Sequence, residues 1–296
     1  MTDQPHLNPD VRHDFVLLYD VEGGNPNGDP DNANHPRTDP ETGHLWVTDV
    51  AIKRKVRDFI IDCYGDTEGM GIYVRNGIAL NQHHREASVA AGLAPNKGRK
   101  GADQNTAAVE LQRRFYDIRA FGAVMSTGDN PAGQRRGPIQ LACPATSVEP
   151  AFVSEFGITR VTVTREEDLN AAEGGKDREM GTKFSVPYTL IRAHGTFTPS
   201  FAAQSGFTGD DLEKFWDALE RMWALDRSAS RGITGCCAIL IFTHGDKYGR
   251  ARAAALYDLV QVARVSEGPA RRFGDYTVTV DTDALPDGVT HTRLGG

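Results

Sequence analysis

The sequence predicts an α+β protein built on an antiparallel sheet, from three observations. Short apolar runs bounded by acidic residues and turns read as strands, and two segments carry apolar side chains at helical spacing. Their order along the chain is strand, helix, strands, helix, strands, the order of a ferredoxin- or RRM-type sandwich. With 296 residues, 39% of them hydrophobic and 25% charged, the chain can bury a substantial core as one large domain or as one domain with insertions.

After a polar tail, expected to be flexible over residues 1–13, Phe15 to Tyr19 is an apolar run between Asp14 and Asp20 and reads as a core strand. From Gly23 to Gly43 the chain is crowded with Gly, Asn, Asp and Pro, which predicts a long irregular loop of the kind that carries function. Thr48 or Asp49 offers an N-cap, and Ile52, Val56, Phe59, Ile60 and Cys63 then form an apolar stripe at helical spacing. Lys53, Arg54 and Arg57 fill an adjoining arc of about 100°. The helix thus has a core face and a basic flank, with Arg54 and Asp58 in register to pair.

Residues 65–117 are punctuated by glycines and by Lys97-Gly98-Arg99-Lys100-Gly101, and they read as an inserted subdomain closed by a short helix around Val109 to Tyr116. Phe121 to Met125 reads as a buried strand, and Gly133 to Pro138 as a mobile basic turn carrying Arg135 and Arg136. Ile158 to Thr164 alternates like a strand and Phe184 to Thr196 resumes as one, so the polar stretch between them predicts a protruding hairpin or loop. Leu212, Phe215, Trp216, Leu219, Met222 and Trp223 mark a second amphipathic helix capped by Thr208. Ala238 to Phe242, Leu256 to Val265 and Tyr276 to Val280 supply the later strands.

The net charge of −7 is unevenly spread: residues 1–50 carry net −8, 51–140 net +5 and 141–296 net −4. Local charge governs affinity for phosphates, so the total does not exclude a nucleic-acid surface. The acidic first segment is expected to face a basic surface of a neighbouring protein. Cys63, Cys143, Cys236 and Cys237 form no metal or disulfide framework and read as buried reduced thiols. No apolar stretch is long enough for a membrane span and no signal peptide is evident, so the cytoplasm is the expected location. Signatures of nucleotide-binding, hydrolase, zinc-protease and dinucleotide sites are absent, which leads us to expect a non-enzyme without cofactors. Asp29, Asp31, His35, Asp39 and His44 could gather around a metal, but as turn-forming residues they need none, and no metal is expected. His83, His84 and His194 have no nucleophile beside them in sequence. RNP-type aromatics are missing, so bases are not expected to stack on the sheet.

Several blocks, in order, resemble one family. Phe15 to Asp20, then Gly24-Asn25-Pro26-Asn27-Gly28-Asp29-Pro30, then Thr48-Asp49-Val50 with Lys53-Arg54-Lys55-Val56-Arg57, are similar to the opening of the Cas-seven backbone subunits of type I-C and I-B Cascade, in the RAMP superfamily. Asp117 to Ala123 with Gly137-Pro138-Ile139-Gln140, and Met180-Gly181 with Val186-Pro187-Tyr188 and Arg192 to Gly195, resemble the family's middle segments. The resemblance spans about residues 12–265.

It implies an RRM-like palm over 14–64 and 118–296, inserted fingers over 65–117 and a thumb over 159–184. It also implies a guide-RNA-binding backbone subunit of a type I-C complex that polymerises along the CRISPR RNA and presents it to target DNA. Further implied partners are copies of itself, a Cas-five processing subunit, large and small subunits and a recruited helicase-nuclease, with no membrane. Candidate RNA-binding residues are Asn25 and Asn27 in the loop, Lys53, Arg54 and Arg57 on the helix, and Arg113, Arg114, Arg135 and Arg136 beyond it. Met180, Lys183 and Arg192 complete the set, Met180 as an apolar wedge between bases or else as a core gap-filler. The alternative implied by type III relatives is a metal-dependent ribonuclease using Asp29 or Asp31.

Overall fold

Residues His13–Gly24 form one long strand, β1, and its alternation sets the layers of the molecule. Phe15, Leu17, Tyr19 and Val21 enter one apolar cluster while Val16 and Leu18 enter another, because successive side chains of a strand face opposite sides. The computed structural model describes residues 4–126, 128–169 and 178–295. After β1 come a mostly irregular loop, a two-residue strand Trp46–Val47, and helix α1, Asp49–Tyr64. Helices α2 (Leu80–Ala90), α3 (Gly101–Arg114) and α4 (Tyr116–Phe121) follow. A hairpin of β2 (Gly122–Met125) and β3 (Gly133–Arg136) leads to β4 (Ile139–Leu141) and β5 (Ala145–Ser147). Then come β6 (Ser154–Arg160), β7 (Glu179–Phe197), α5 (Pro199–Ser205), α6 (Gly209–Arg221) and β8 (Ile233–His244). The chain closes with α7 (Ala253–Asp258), a hairpin of β9 (Val260–Arg264) and β10 (Tyr276–Val280), and β11 (Val289–Leu294).

The fold is α+β. Its main sheet has the order β11-β8-β1-β7-β5 and ends on Trp46–Val47, with every pair antiparallel; β4 and β6 pair with other stretches of β7. Helices α1 and α6 cover one face through Ile52, Val56, Phe59, Ile60, Leu212, Phe215 and Trp216. The other face is covered by Leu256 of α7 and by Val260 and Tyr276 of the β9–β10 hairpin. Both faces of the central strands are thus packed against other elements among the described residues. Among the described residues no helix is long and apolar enough to cross a membrane.

Both long helices start as their caps direct. The Thr48 hydroxyl accepts from the Ala51 N–H, and Thr208 and Asp211 exchange hydrogen bonds in a capping box. Asp211 has a second duty, since Arg119 donates to both its carboxylate oxygens at 3.1 and 2.8 Å. Arg119 also donates to the carbonyls of Gly69 and Gln112, each at 2.9 Å. Two positions earlier, Asp117 accepts from the backbone N–H groups of Tyr73 (2.8 Å) and Val74 (3.1 Å) and from Arg57 (2.7 Å). One turn of α4 thus ties α1, α6 and the 69–74 segment together. A third apolar cluster, with Tyr73, Ala87, Leu111 and Phe115, lies beyond it among α2 and α3.

Several expectations are corrected. Cys63 and Cys143 are exposed, Cys236 is half-buried and only Cys237 is buried; at Cys63 the stripe on α1 turns out of the core in its last turn. Gly133–Arg136 is a strand paired with β2, not a mobile turn, since alternation in four residues is too short to register. The strand expected over Ile158 to Thr164 runs instead over Ser154–Arg160, and Leu256 lies in a helix that precedes β9. The helix expected around Val109 begins at Gly101, and α2 and β11 were unanticipated. Residues 170–177, within the expected thumb, lie outside the described residues.

His13 supplies a test of the fold's acid sensitivity. Its Nε2–H donates to the Asn8 carbonyl at 2.8 Å and its Nδ1 accepts from the Thr243 hydroxyl at 3.0 Å, so the neutral ring is fully satisfied. Burial, above all, lowers its pKa from 6.5 to about 4. The unfolded chain therefore takes up this proton first. Stability from His13 is complete above pH 6.5 and drains away as the pH falls towards 4, by up to ~3 kcal/mol. Urea unfolding at several pH values, compared with His13→Gln, measures this, and equal pH slopes in the two proteins would contradict it.

Candidate nucleic-acid interface

Three stretches far apart in sequence meet beside the exit of β1. They are the loop from Asn25 to Asn34, the start of β7 at Thr182 to Phe184, and the segment from Ser228 to Arg231 between α6 and β8. Together they line a polar cavity of about 520 Å³.

The loop is held in shape by its own amides. Asn25 Nδ2 donates to the Asn34 carbonyl at 2.7 Å, and Asn27 Oδ1 accepts from the Thr48 N–H at 2.9 Å, fastening the loop to the start of α1. Asp29 accepts from the Asp31 N–H at 3.2 Å and pairs with Arg37 at 3.2 Å. The third stretch is pressed against the first. Arg231 Nη1 donates to the carbonyls of Asn25 (3.4 Å) and Pro26 (3.1 Å), and the Asn25 N–H donates to the Ser230 carbonyl at 2.8 Å. A Cβ on Gly24 would lie 1.8 Å from the Arg231 carbonyl oxygen, and one on Gly232 would lie 2.2 Å from that of Glu22. Only glycine permits this approach of backbone to backbone.

Lys183 and Arg231 are the two cationic residues that line this cavity, with Ser228, Ser230, Asn25 and Asn27 beside them. Two cations among hydroxyl and amide donors suit an anion such as a phosphate. Beyond the cavity β6 and β7 continue as a two-stranded arm, where Phe156 faces Lys183 across the pair and the ammonium lies 5.9 Å from the ring centroid. Met180 is 80% exposed on this arm, which removes the gap-filler reading. By alternation it shares its side of β7 with Thr182 and Phe184, while Lys183 is on the side of Phe156.

The structure gathers Asn25, Asn27 and Lys183 of the expected residues and leaves the others elsewhere. The open basic flank expected on α1 is corrected: Arg57 is spent on Asp117, Lys53 on Asp49 at 2.8 Å, and both cations lie over the Phe121 ring. A helical wheel shows which residues adjoin the core, but not what a later segment lays over them. Arg54 is exposed and pairs with Asp58 at 3.4 Å. Arg113 and Arg114 pair with Glu110, and Arg113 also with Glu68. Arg135 donates to Gln112 and Asn105, and Arg136 lies over the Phe201 ring. Arg192 donates to the carbonyls of Tyr257 and Val260 and lines a different cavity with His44 and Asp258.

Of the histidines considered for acid-base work, His194 and His84 have hydrogen-bonding partners, and His83 packs against the Tyr73 and Phe115 rings. His194 accepts from Arg192 Nε at 3.0 Å, stacks on Tyr257 at 4.5 Å, and is brought to a pKa of about 4 chiefly by burial. His83 and His84 are buried in α2, His84 beside the Tyr73 hydroxyl at 2.7 Å. Among the described residues no group of three or more His, Cys, Asp or Glu is placed to hold a metal.

Sequence reasoning missed Ser228, Ser230 and Arg231. The signal was a short polar run, Arg227-Ser228-Ala229-Ser230-Arg231-Gly232, ending in glycine between a helix and a strand. Its importance shows only once β8 lies beside β1.

The family model for CRISPR-associated protein Cas7 matches residues 11–281. The chain belongs to the Cas7 family. A CRISPR-associated protein Cas7 of Haloferax volcanii is 42% identical over 119 residues, covering 39% of this chain; the matched stretch spans about a third, 32%, of that relative's length. Among solved structures, a chain of a CRISPR RNA-guided surveillance complex, pre-nicking, is similar in fold, with a TM-score of 0.50 at 14% identity over 78% of each chain. A looser likeness, with a TM-score of 0.42 at 10% identity over 78% of this chain and 61% of the other, is to a Type III-B Cmr-beta complex bound to cognate target RNA.

Proposed function

We propose that this chain is a guide-RNA-binding backbone subunit of a CRISPR surveillance complex, of the type I-C kind, which holds the RNA by its backbone and cleaves nothing itself. The observation that carries the proposal is the polar cavity in which Lys183 and Arg231 meet the amide-rich loop, in a chain of the Cas7 family. A subunit that serves any guide should grip phosphates and leave the sequence to base pairing. Both faces of the sheet are covered, so RNA would run past the loops and the arm.

The strand order β8-β1-β7-β5, with α1 and α6 on one face, supports an RRM-like palm over 14–64 and 118–296. The helices α2 and α3, with their separate apolar cluster, suit inserted fingers over 65–117. The projecting pair β6–β7 suits a thumb over 159–184 with Met180 as its wedge between bases. In this proposal copies of the chain line up along the RNA, with target DNA and the other complex subunits as further partners.

Single-stranded RNA about thirty nucleotides long, followed by fluorescence anisotropy over a salt series, tests the site. Replacing both Lys183 and Arg231 by alanine is expected to weaken binding about tenfold or more. Loss of two phosphate contacts should also flatten the salt dependence by roughly 1.4 in log–log slope, with the RNA recovered intact. An unchanged slope would remove the cavity from the RNA path.

A further inference from the structure

Lys55 lies on α1 between two residues considered for RNA binding, yet its side chain is only 7% exposed and cannot reach a ligand. Its ammonium contacts the Asp226 carboxylate and lies 6.0 Å from the Trp223 ring centroid. The same carboxylate oxygen, Asp226 Oδ2, faces Arg231 Nε at 3.6 Å and is sealed from solvent. One partly exposed carboxylate, its Oδ2 sealed, thus stands between two cations. Of these, only Arg231 lines the polar cavity.

That arrangement has an electrostatic consequence. With Lys55 charged, the three groups sum to one positive charge, and Asp226 is neutralised from behind. Without that ammonium the carboxylate has Arg231 as its remaining cation, and the cavity loses the field an incoming phosphate needs, since a charge at this range acts strongly away from bulk water. We propose that Lys55 is a positioning residue that keeps Arg231 available to the RNA backbone by occupying Asp226, an inference that rests on reading the cavity as an RNA-backbone site.

The surroundings of Lys55 fit this role. Burial, and then the nearby Arg231, push its pKa down to about 7, with Arg54 acting in the same sense and Asp58 against it. The touching Asp226 carboxylate is an opposite charge, which favours the charged form. On the β1 side, Tyr19 stacks on Trp223 at 4.4 Å and closes the pocket around the pair.

A charge set and its suppressor separate this role from mere support of the fold. RNA anisotropy over a salt series is measured for the full chain and for Lys55→Met, Asp226→Asn, the two combined, and Lys55→Met in an Arg231→Ala background. Lys55→Met is expected to weaken binding about fivefold and to lower the salt slope by about 0.7, the share of one phosphate contact. Asp226→Asn should bind as well as the unaltered chain or better, and the double variant should recover most of the slope lost in Lys55→Met. In the Arg231→Ala background Lys55→Met should add nothing. A double variant as weak as Lys55→Met, or an Asp226→Asn chain as weak as either, overturns the proposal. RNA binding absent from the unaltered chain would instead overturn the reading of the cavity.

Discussion

Asp117→Ala is expected to be among the most damaging single substitutions in this chain, costing about 3–5 kcal/mol. Three donors converge on this carboxylate, which is 1% exposed: the Tyr73 and Val74 N–H groups and the Arg57 guanidinium. Alanine leaves all three without their acceptor, and an unpaired buried cation costs more than its lost hydrogen bond. In a chain of this size each kcal/mol lowers the melting temperature by roughly 2–4 °C, so calorimetry should show a fall of about 6–20 °C. Asp117→Asn keeps one acceptor oxygen but no charge, and should fall between the two. Adding Arg57→Met to Asp117→Ala should return part of the loss, because the stranded cation is gone. A melting point within 2 °C or so of the original for Asp117→Ala would mean the site is open to water.

Gly24→Ala should strike stability and function together. The added methyl would sit 1.8 Å from the Arg231 carbonyl oxygen and 2.3 Å from its carbonyl carbon, both backbone atoms, so no side chain can swing aside. Overpacking of this kind costs about 1–3 kcal/mol and sometimes more. Here relief requires the 228–232 segment to lift from the loop, which would carry Arg231 away from Asn25 and Pro26. RNA affinity should drop about as far as in Arg231→Ala, while Gly157→Ala, which meets nothing within 4 Å, should leave both stability and binding nearly as they were. Unimpaired RNA binding by a folded Gly24→Ala chain would show that the two loops need not touch.

Much of this molecule was legible before its fold was known, for physical reasons. Phe15 to Tyr19 and the stripes on α1 and α6 are long enough for period to show, and Thr48 and Thr208 announce their helices by chemistry that acts within one turn. The strands β3, Gly-Gln-Arg-Arg, and β11, with four polar residues between Val289 and Leu294, carry too few apolar side chains to stand out. The site was half legible. Asn25, Asn27 and Lys183 lie in segments whose composition or family likeness stood out, whereas Arg231 matters because a crossover of the sheet delivers it there. Lys53 and Arg57 misled in the opposite direction: their spacing shows a basic flank, but Asp117 and Phe121, remote in sequence, close it.

β7 runs unbroken for 19 residues, from the tip of the exposed arm to the middle of the sheet, where β1 pairs with it from His13 to Gly24. The backbone of the arm is thus continuous with a strand of the core. At about 3.3 Å per residue the seven residues paired with β6 reach roughly 23 Å, so a 5° tilt of the central strands would sweep the tip by about 2 Å. The tip behaves as the end of a lever whose fulcrum is the core. Substitutions buried under β1 can thus shift where Met180 points without touching any residue near it.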